Sequence, residues 1–258
     1  MSEAGNQLRR RDLLGVPIAL VDYERAMDEM DEIIRACERG YVCAIAVHAL
    51  MVSRRDAELR AALERASLVV PDGRPLVWAL NALGERLLDR VYGPELMARY
   101  CTRAAVRGHR VWLLGGATPA ALATLERTLR DRYPGIEIAG GHSPPHRPPS
   151  AGEEHEIAAR IDGDRAEVVF VGLGAPKQEK WMARMRPLLD APLLVGVGAA
   201  FDFLAGLKRQ APPWMQRRGL EWAFRLSQEP LRLLPRYLRY NPAFVAAFAR
   251  QYLRERRS

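Results

Sequence analysis

The sequence predicts an α/β protein: a parallel sheet with helices on both faces, followed by a helical C-terminal appendage. Three observations carry this. Short apolar, β-like runs alternate with helical patterns through most of the chain. Two of the later runs, VVFVGLG and LLVGVG, each end in a Gly-x-Gly turn. Beyond Pro212 the pattern is helical only.

The strand-like runs are Leu14–Ala19, Val42–Val47, Leu68–Val70, Val111–Leu114, Ile136–Ala139, Val168–Val171 and Leu193–Val197. Helical patterns fall between or after them at Tyr23–Glu38, Ser53–Arg65, Pro75–Leu83, Pro94–Arg107, Pro119–Tyr133, Gly152–Ile161 and Gln178–Leu188. Proline suits the first helical position because its missing N–H is an orphan there, and Thr118-Pro119 reads as an N-cap followed by that position. The proline-rich HSPPHRPPS (His142–Ser150) is a loop, since proline blocks regular pairing. These elements predict a Rossmann-like body over 1–207. An appendage over 208–258 carries an apolar stripe through Leu220, Phe224, Leu233, Tyr237, Phe244 and Phe248.

With 258 residues, 48% of them hydrophobic, the chain can bury a sizeable core. The apolar run Ala191–Phe201 is too short to span a membrane and contains Pro and Gly. The start, MSEAGNQLRRRD, has charge but no apolar stretch of a secretory signal. Cys37, Cys43 and Cys101 are odd in number and outside metal spacing, which suits a reducing cytoplasm.

Charge is concentrated at one end. From Lys208 to Ser258 twelve Lys/Arg face three Glu, a balance of +9 where the whole chain carries +8. Trp214, Trp222, Tyr237, Tyr240 and Tyr252 interleave those cations. Basic and aromatic residues together suit an anionic membrane surface. A solvated helical face is the plain alternative. A nucleic-acid binder rests on tail charge alone and is not expected.

Several residues could carry chemistry. Asp72 follows the run Leu68–Val70 in a Pro-Asp-Gly turn. A carboxylate there can deprotonate an attacking hydroxyl, or it can simply form a turn and cap the next helix. Gly115-Gly116, Gly172-Leu-Gly174 and Gly196-Val-Gly198 end strands, where backbone N–H groups can hold a diphosphate or where strand and helix pack tightly. Lys177 and Phe201 stand where a dinucleotide fingerprint needs its third glycine, which argues against a nicotinamide dehydrogenase. Gln178 can read a base or sugar hydroxyl through its amide. Glu179 and Asp202 sit beside such turns and read equally as helix-start charges.

A metal is not expected. Asp162-Gly-Asp164 has Asp-x-Asp spacing but precedes the strand Val168–Val171, on the edge opposite the strand C-termini. His142, His146 and His155 surround the proline-rich loop without partner acids at ligand spacing.

From about Leu13 to Tyr252 the chain resembles the WecG/TagA/CpsF proteins, glycosyltransferase family 26. The resemblance is carried by VHALMVSRRDAELRAAL, PDGRPLVWAL, RVYGPELM, VWLLGGAT, VVFVGLGAPKQEKW, LLVGVGAAFDFLAG and APPWMQRRGLEWAFRLSQEPLRLLPRY, in family order. It implies the GT-E variant of the Rossmann-like fold. It also implies an inverting transfer from a UDP-sugar to a polyprenyl-diphosphate-linked saccharide, for a cell-surface polysaccharide, on the cytoplasmic face of the membrane. Asp72 matches the proposed base. Gln178 and Arg90 match donor-site positions, and Gly115, Gly116, Gly174 and Asp202 are expected with them. Arg225, Arg232 and Arg236 match arginines of an appendage that closes over the site, where guanidinium groups would neutralise a leaving diphosphate without a metal. No cofactor is expected, and a homo-oligomer is left open.

The chain departs from that family at three places. Ala44 and Ala46 stand where Thr and Asn are usual, Gln210 where Arg is usual, and Glu95 where Asp is usual. These departures motivate a second reading: a degenerate member that binds nucleotide-sugar or lipid and scaffolds a polysaccharide-assembly complex.

Overall fold

A computed structural model describes residues 8–145, 147 and 149–257, without the side chains of 213 and 217. The N-terminal segment and His146 of the sequence reading lie outside the described residues. The chain begins with an antiparallel hairpin, β1 (Arg10–Leu13) and β2 (Val16–Ala19). Its two-residue turn has Leu14 at φ 55° and Gly15 at φ 90°, consecutive left-handed residues of the kind that match strand twist. The expected strand Leu14–Ala19 is thus half of a hairpin and not a member of the main sheet.

The remaining strands are β3 (Gly40–Ile45), β4 (Leu68–Pro71), β5 (Arg110–Gly115), β6 (Glu137–His142), β7 (Val168–Gly172) and β8 (Leu193–Gly196). They form one sheet in the order β4-β3-β8-β7-β5-β6, parallel at every pairing. The helices are α1 (Tyr23–Arg35), α2 (Val47–Ser53), α3 (Ala57–Glu64), α4 (Arg74–Ala82), α5 (Gly93–Arg107), α6 (Pro119–Arg132), α7 (Ala151–Gly163), α8 (Lys177–Met185), α9 (Ala200–Leu204), α10 (Pro213–Arg217), α11 (Glu221–Gln228) and α12 (Pro230–Glu255).

Alternate strand residues feed two cores, as the period of two requires. Val169 and Val171 of β7 face a core with α2, α3, α4, α7 and α8, through Leu50, Leu63, Leu80, Ile161 and Met185. Val168 and Phe170 face a second core with α1, α5, α6 and α9, through Met30, Tyr100, Leu125 and Leu204. Both sheet faces are therefore covered, as the sequence predicts. Thr118 caps α6 through the Ala121 N–H at 3.1 Å, with Pro119 at the first helical position.

The α2 helix was not legible: the sequence reads Val42–Val47 as strand and starts a helix at Ser53. The appendage also joins the body. Phe244 and Ala247 of α12 enter the first core, and Gln251 accepts the Leu14 N–H at 2.9 Å and donates to the Asp12 carbonyl at 3.1 Å. The long terminal helix is thus pinned to the hairpin turn. Pro235 and Pro242 lie inside it without ending it.

At the opposite edge of the sheet, Arg186 is buried and donates to the carbonyls of Gly40 (3.1 Å), Leu189 (2.7 Å) and Ala191 (2.5 Å). One guanidinium satisfies the loop ends that enter β3 and β8. Burial lowers its pKa to about 10, and the nearby Arg39 pushes the same way.

Candidate active site

A cleft of about 680 Å³ opens where β3, β4, β5, β7 and β8 end. Ala44 and Ala46, Asp72, Gly115 and Gly116, Gly172 and Gly174, and Val197 and Gly198 supply its strand-end walls. Ligands of open parallel sheets bind at this place because loop backbones and helix N-termini converge there. Gln178, Asp202, Arg225, Arg232 and Arg236 line it as well. The sequence-predicted residues are therefore brought together, with Arg90 one step behind the wall.

Asp72 does not cap the helix that follows it. Gly73 is the N-cap of α4 and makes no side-chain cap bond. The Asp72 carboxylate instead accepts the N–H of Gly93 at 3.1 Å, at the first turn of α5. Gly93 lets this approach happen: a Cβ there would sit 3.4 Å from Asp72 Oδ2 and 3.2 Å from the Val197 carbonyl. Burial raises the Asp72 pKa above its ordinary value, and Glu221 adds to the rise. Arg90, the Gly93 N–H and Arg225 pull the other way without cancelling it. A carboxylate so placed is a stronger base than a solvated one.

Arg90 is held by the appendage. Its guanidinium pairs with Glu221 of α11, and the two side chains keep only 11% and 10% of their exposure. It also lies 4.3 Å from the centroid of the Tyr92 ring.

The glycine turns divide between the two roles the sequence left open. Gly172 and Gly196 serve packing. A Cβ on Gly172 would meet the Phe201 ring at 3.0 Å, and one on Gly196 would meet Met182 at 2.8 Å. Gly115 needs both freedoms, with φ 145° and a Cβ position 2.9 Å from the Gly172 carbonyl. Gly174, at φ 77°, has open space beside it and faces the cleft.

Gln178 is 2% exposed and mostly committed to the protein. Its Oε1 accepts the N–H of Gly174 at 3.2 Å and of Gly198 at 3.0 Å, which ties the turns after β7 and β8 together. Its Nε2 donates to Glu179 Oε1 at 3.0 Å. That bond fixes the amide orientation, because a flipped amide would set NH₂ against two N–H donors. One N–H of Gln178 is left for a ligand.

Behind it lies a buried polar cluster. Glu179 is fully buried, and its Oε2 has no hydrogen-bond partner among the described residues. Burial raises its pKa to about 7 against weaker lowering by Gln178 and Arg236. Desolvation lowers the His48 pKa to about 4, helped by Arg236, so the ring is neutral where it meets Tyr240 edge-on at 4.9 Å. Arg236 itself is lowered to about 10, first by burial and then by Arg225.

Asp202, Lys208 and Arg232 of the cleft are paired. Lys208 Nζ stands 2.9 Å from Asp202 and 3.0 Å from Glu229, and Glu229 also pairs with Arg232. Arg225 lies 5.9 Å from the Phe203 ring centroid.

The acids set aside by the sequence reading are in structural use. Asp162 Oδ1 accepts the N–H groups of Asp190 (2.9 Å) and Ala191 (3.3 Å), and Asp164 Oδ2 accepts the Trp112 indole N–H at 2.9 Å. The expected turn is in part helix: Asp162 lies in the last turn of α7 and Asp164 is its C-cap, before β7. His142 approaches Arg160 at 3.4 Å and His155 meets its own helix carbonyl at 2.7 Å. Among the described residues no group of three or more His, Cys, Asp or Glu could hold a metal ion.

Sequence reasoning missed Tyr92, Phe203 and Lys208, and it read Pro144, Pro145 and Pro149 only as loop. Lys208 had a signal, since it follows the Phe-Asp turn closely enough to return to Asp202. The prolines had none, because their reach over the cleft depends on where β6 ends.

Comparison with known proteins bears on this cleft. Residues 11–258 match the glycosyl transferase WecG/TagA/CpsF family. The chain is also similar to an N-acetylglucosaminyldiphosphoundecaprenol N-acetyl-beta-D-mannosaminyltransferase of Bacillus spizizenii, 34% identical over 172 residues. That match covers 67% of this chain and 65% of the relative, just under two thirds of the relative's length.

Proposed function

The chain belongs to the WecG/TagA/CpsF glycosyltransferase family, and from that premise we propose an inverting glycosyltransferase that moves a sugar from UDP to a polyprenyl-diphosphate-linked saccharide. The similar Bacillus protein is named for an acceptor of this kind, a sugar on diphosphoundecaprenol. One observation carries the reading. A carboxylate with a raised pKa, Asp72, stands at a strand end in a cleft whose other wall is arginines of the appendage.

In this reading Asp72 takes the proton of the acceptor hydroxyl as its oxygen attacks the anomeric carbon from the face opposite the UDP. The C–O bond to the diphosphate breaks and both electrons leave with UDP. Arg225, Arg232, Arg236 and Lys208 supply the positive field for that charge. Backbone N–H groups at Gly116 and Gly174, with the one free N–H of Gln178, hold the donor. Arg90 keeps the Asp72 carboxyl from rising further and is itself held by Glu221. The arginines supply charge that a divalent cation would otherwise provide, so no metal is invoked.

The work would be done at the inner face of the cell membrane, for a surface polysaccharide. Among the described residues no helix is long and apolar enough to cross a membrane. Trp214, Trp222, Leu231 and Leu238 of the appendage are nonetheless exposed, Leu231 at 93%, among arginines. Apolar side chains interleaved with cations suit an interface of anionic lipid.

A second reading has its own observation. Ala44 and Ala46 line the cleft without a side-chain hydrogen bond to offer, which favours a member that binds but does not turn over. Transfer of labelled sugar from a panel of UDP-sugars to lipid-linked acceptors in membrane vesicles separates the two. Label in the lipid fraction is expected. Tight UDP binding with no transfer to any acceptor would favour the second.

A further inference from the structure

Three buried polar atoms on three helices have no hydrogen-bond partner among the described residues: Glu179 Oε2 on α8, His48 Nδ1 on α2 and Arg236 Nε on α12. They feel one another, since the Arg236 charge lowers the pKa of both Glu179 and His48. Tyr240, one turn beyond Arg236, meets the His48 ring edge-on and so seats this part of α12 on α2. Glu179 is also tied to the cleft wall. Its Oε1 accepts from Gln178 Nε2 at 3.0 Å, and Gln178 lines the cleft.

The charges around this cluster do not balance. Arg225 and Arg236 line the cleft, and among the described residues neither has an ion-pair partner, while Lys208 and Arg232 do. The fully buried Glu179 carboxyl stands behind Arg236. Ionised, it offsets part of the guanidinium charge but gives up hydration; protonated, it leaves that charge bare. Its pKa of about 7 puts both forms within reach near neutral pH. The other titratable groups packed around it do not exchange a proton there. Burial, with Glu179 itself, holds the Cys43 thiol of β3 well above its ordinary value. Burial and Arg236 hold His48 down at about 4. On α3, Asp56 and Glu58 are paired with Lys180.

A diphosphate in the cleft would supply the missing negative charge from the other side of Arg236. A second anion behind the same guanidinium is then repelled and no longer needed, and neutralisation removes the cost of burying it. We infer that Glu179 is the counter-anion of the empty cleft and takes up a proton from solvent when a nucleoside diphosphate binds at Arg225 and Arg236. The inference rests on the diphosphate-bearing donor proposed above. It adds that donor binding and product release are each coupled to a proton at a residue that never touches the ligand. By linkage, a ligand that binds with proton uptake binds more tightly as pH falls towards the pKa of the free site.

The test is calorimetric titration of the full-length protein with UDP, in pairs of buffers that differ in ionisation heat. At pH 8 the terminal phosphate of UDP is already ionised, its pKa being about 6, so the ligand itself brings no proton change. Uptake of about 0.9 proton per UDP is expected at pH 8, with binding roughly fivefold tighter at pH 7 than at pH 8. Glu179→Gln, which keeps an acceptor for Gln178, should bind UDP without uptake and with equal affinity at the two pH values. Asp72→Asn should retain the uptake. Difference infrared spectra of the unsubstituted protein check the same step: a protonated-carboxyl band should appear on UDP binding and shift with ¹³C-glutamate labelling. UDP binding with no proton change would overturn the inference, as would uptake lost in Asp72→Asn and kept in Glu179→Gln. Uptake at Glu179 without sugar transfer to any acceptor would sink the transferase reading and leave the inference standing. Sugar transfer with proton-neutral UDP binding would do the reverse, and a protein that binds no UDP would sink both.

Discussion

Arg90 of the body and Glu221 of the appendage form an ion pair that is almost sealed from solvent. Both also act on Asp72, in opposite directions: Arg90 lowers its pKa and Glu221 raises it. One contact between appendage and body therefore acts on the carboxylate proposed as the base.

This pairing predicts two pH profiles of opposite sign. Activity requires Asp72 ionised, so kcat/KM falls as pH drops through its raised pKa. Arg90→Met removes a lowering charge and should move that acid limb to higher pH. Glu221→Gln removes a raising charge and should move it to lower pH. Profiles of the two variants that shift together would contradict the assignment of Asp72.

Gln178 is expected to behave as a staple as much as a ligand contact. Gln178→Ala strands the N–H groups of Gly174 and Gly198 and leaves Glu179 without its donor. About 2–3 kcal/mol of stability should be lost, since buried polar groups without partners carry their full desolvation cost. Thermal unfolding measures this, and the KM for UDP-sugar should rise alongside it.

Glu179 sets a pH dependence of stability. Its folded pKa of about 7 lies above the ordinary 4.5, so the folded state holds the proton more tightly than the unfolded chain does. Stability then falls as pH rises from about 4.5 to about 7, by at most about 3 kcal/mol, and stays low above that window. Glu179→Gln keeps an acceptor for Gln178 and should remove most of that fall. Unfolding midpoints between pH 5 and 8 check it.

Arg186 tests the fold apart from the chemistry. Arg186→Met leaves several buried carbonyls unsatisfied at the edge opposite the cleft. A loss of about 3–5 kcal/mol is expected by urea unfolding, since each buried carbonyl left without a donor costs roughly 1–3 kcal/mol.

Membrane contact is better probed by point changes than by removing the appendage, because Phe244 and Ala247 belong to the core. Leu231→Ser with Leu238→Ser alters only exposed positions. The pair should weaken binding to anionic liposomes about tenfold, two apolar contacts being worth roughly that much, with the melting temperature unchanged.

The body was legible because most sheet strands are short apolar runs followed by a helix. Val168–Val171 feeds both cores, so nearly every residue must be apolar, and the run stands out. The hairpin was not legible. Leu14 in a left-handed conformation is a costly choice, supported by Gln251 from far along the chain, which accepts the Leu14 N–H and donates to the Asp12 carbonyl. The α2 helix was hidden because Val47–Ser53 is short and mostly buried, so its periodicity merges with β3. At the site, the meeting of Asp72 and Gln178 followed from strand-end placement, and that of the tail arginines from the family resemblance. The Gly93 contact and the Arg90–Glu221 pair did not, because both depend on how distant segments dock.

The most direct test of Asp72 as the base is the single-turnover rate of sugar transfer by Asp72→Asn, beside its affinity for the UDP-sugar. The amide keeps the size and can still accept from Gly93, but it cannot take a proton. A rate lower by about 10²–10⁴ with donor affinity within a few-fold of the parent is predicted. An unimpaired rate would contradict the account.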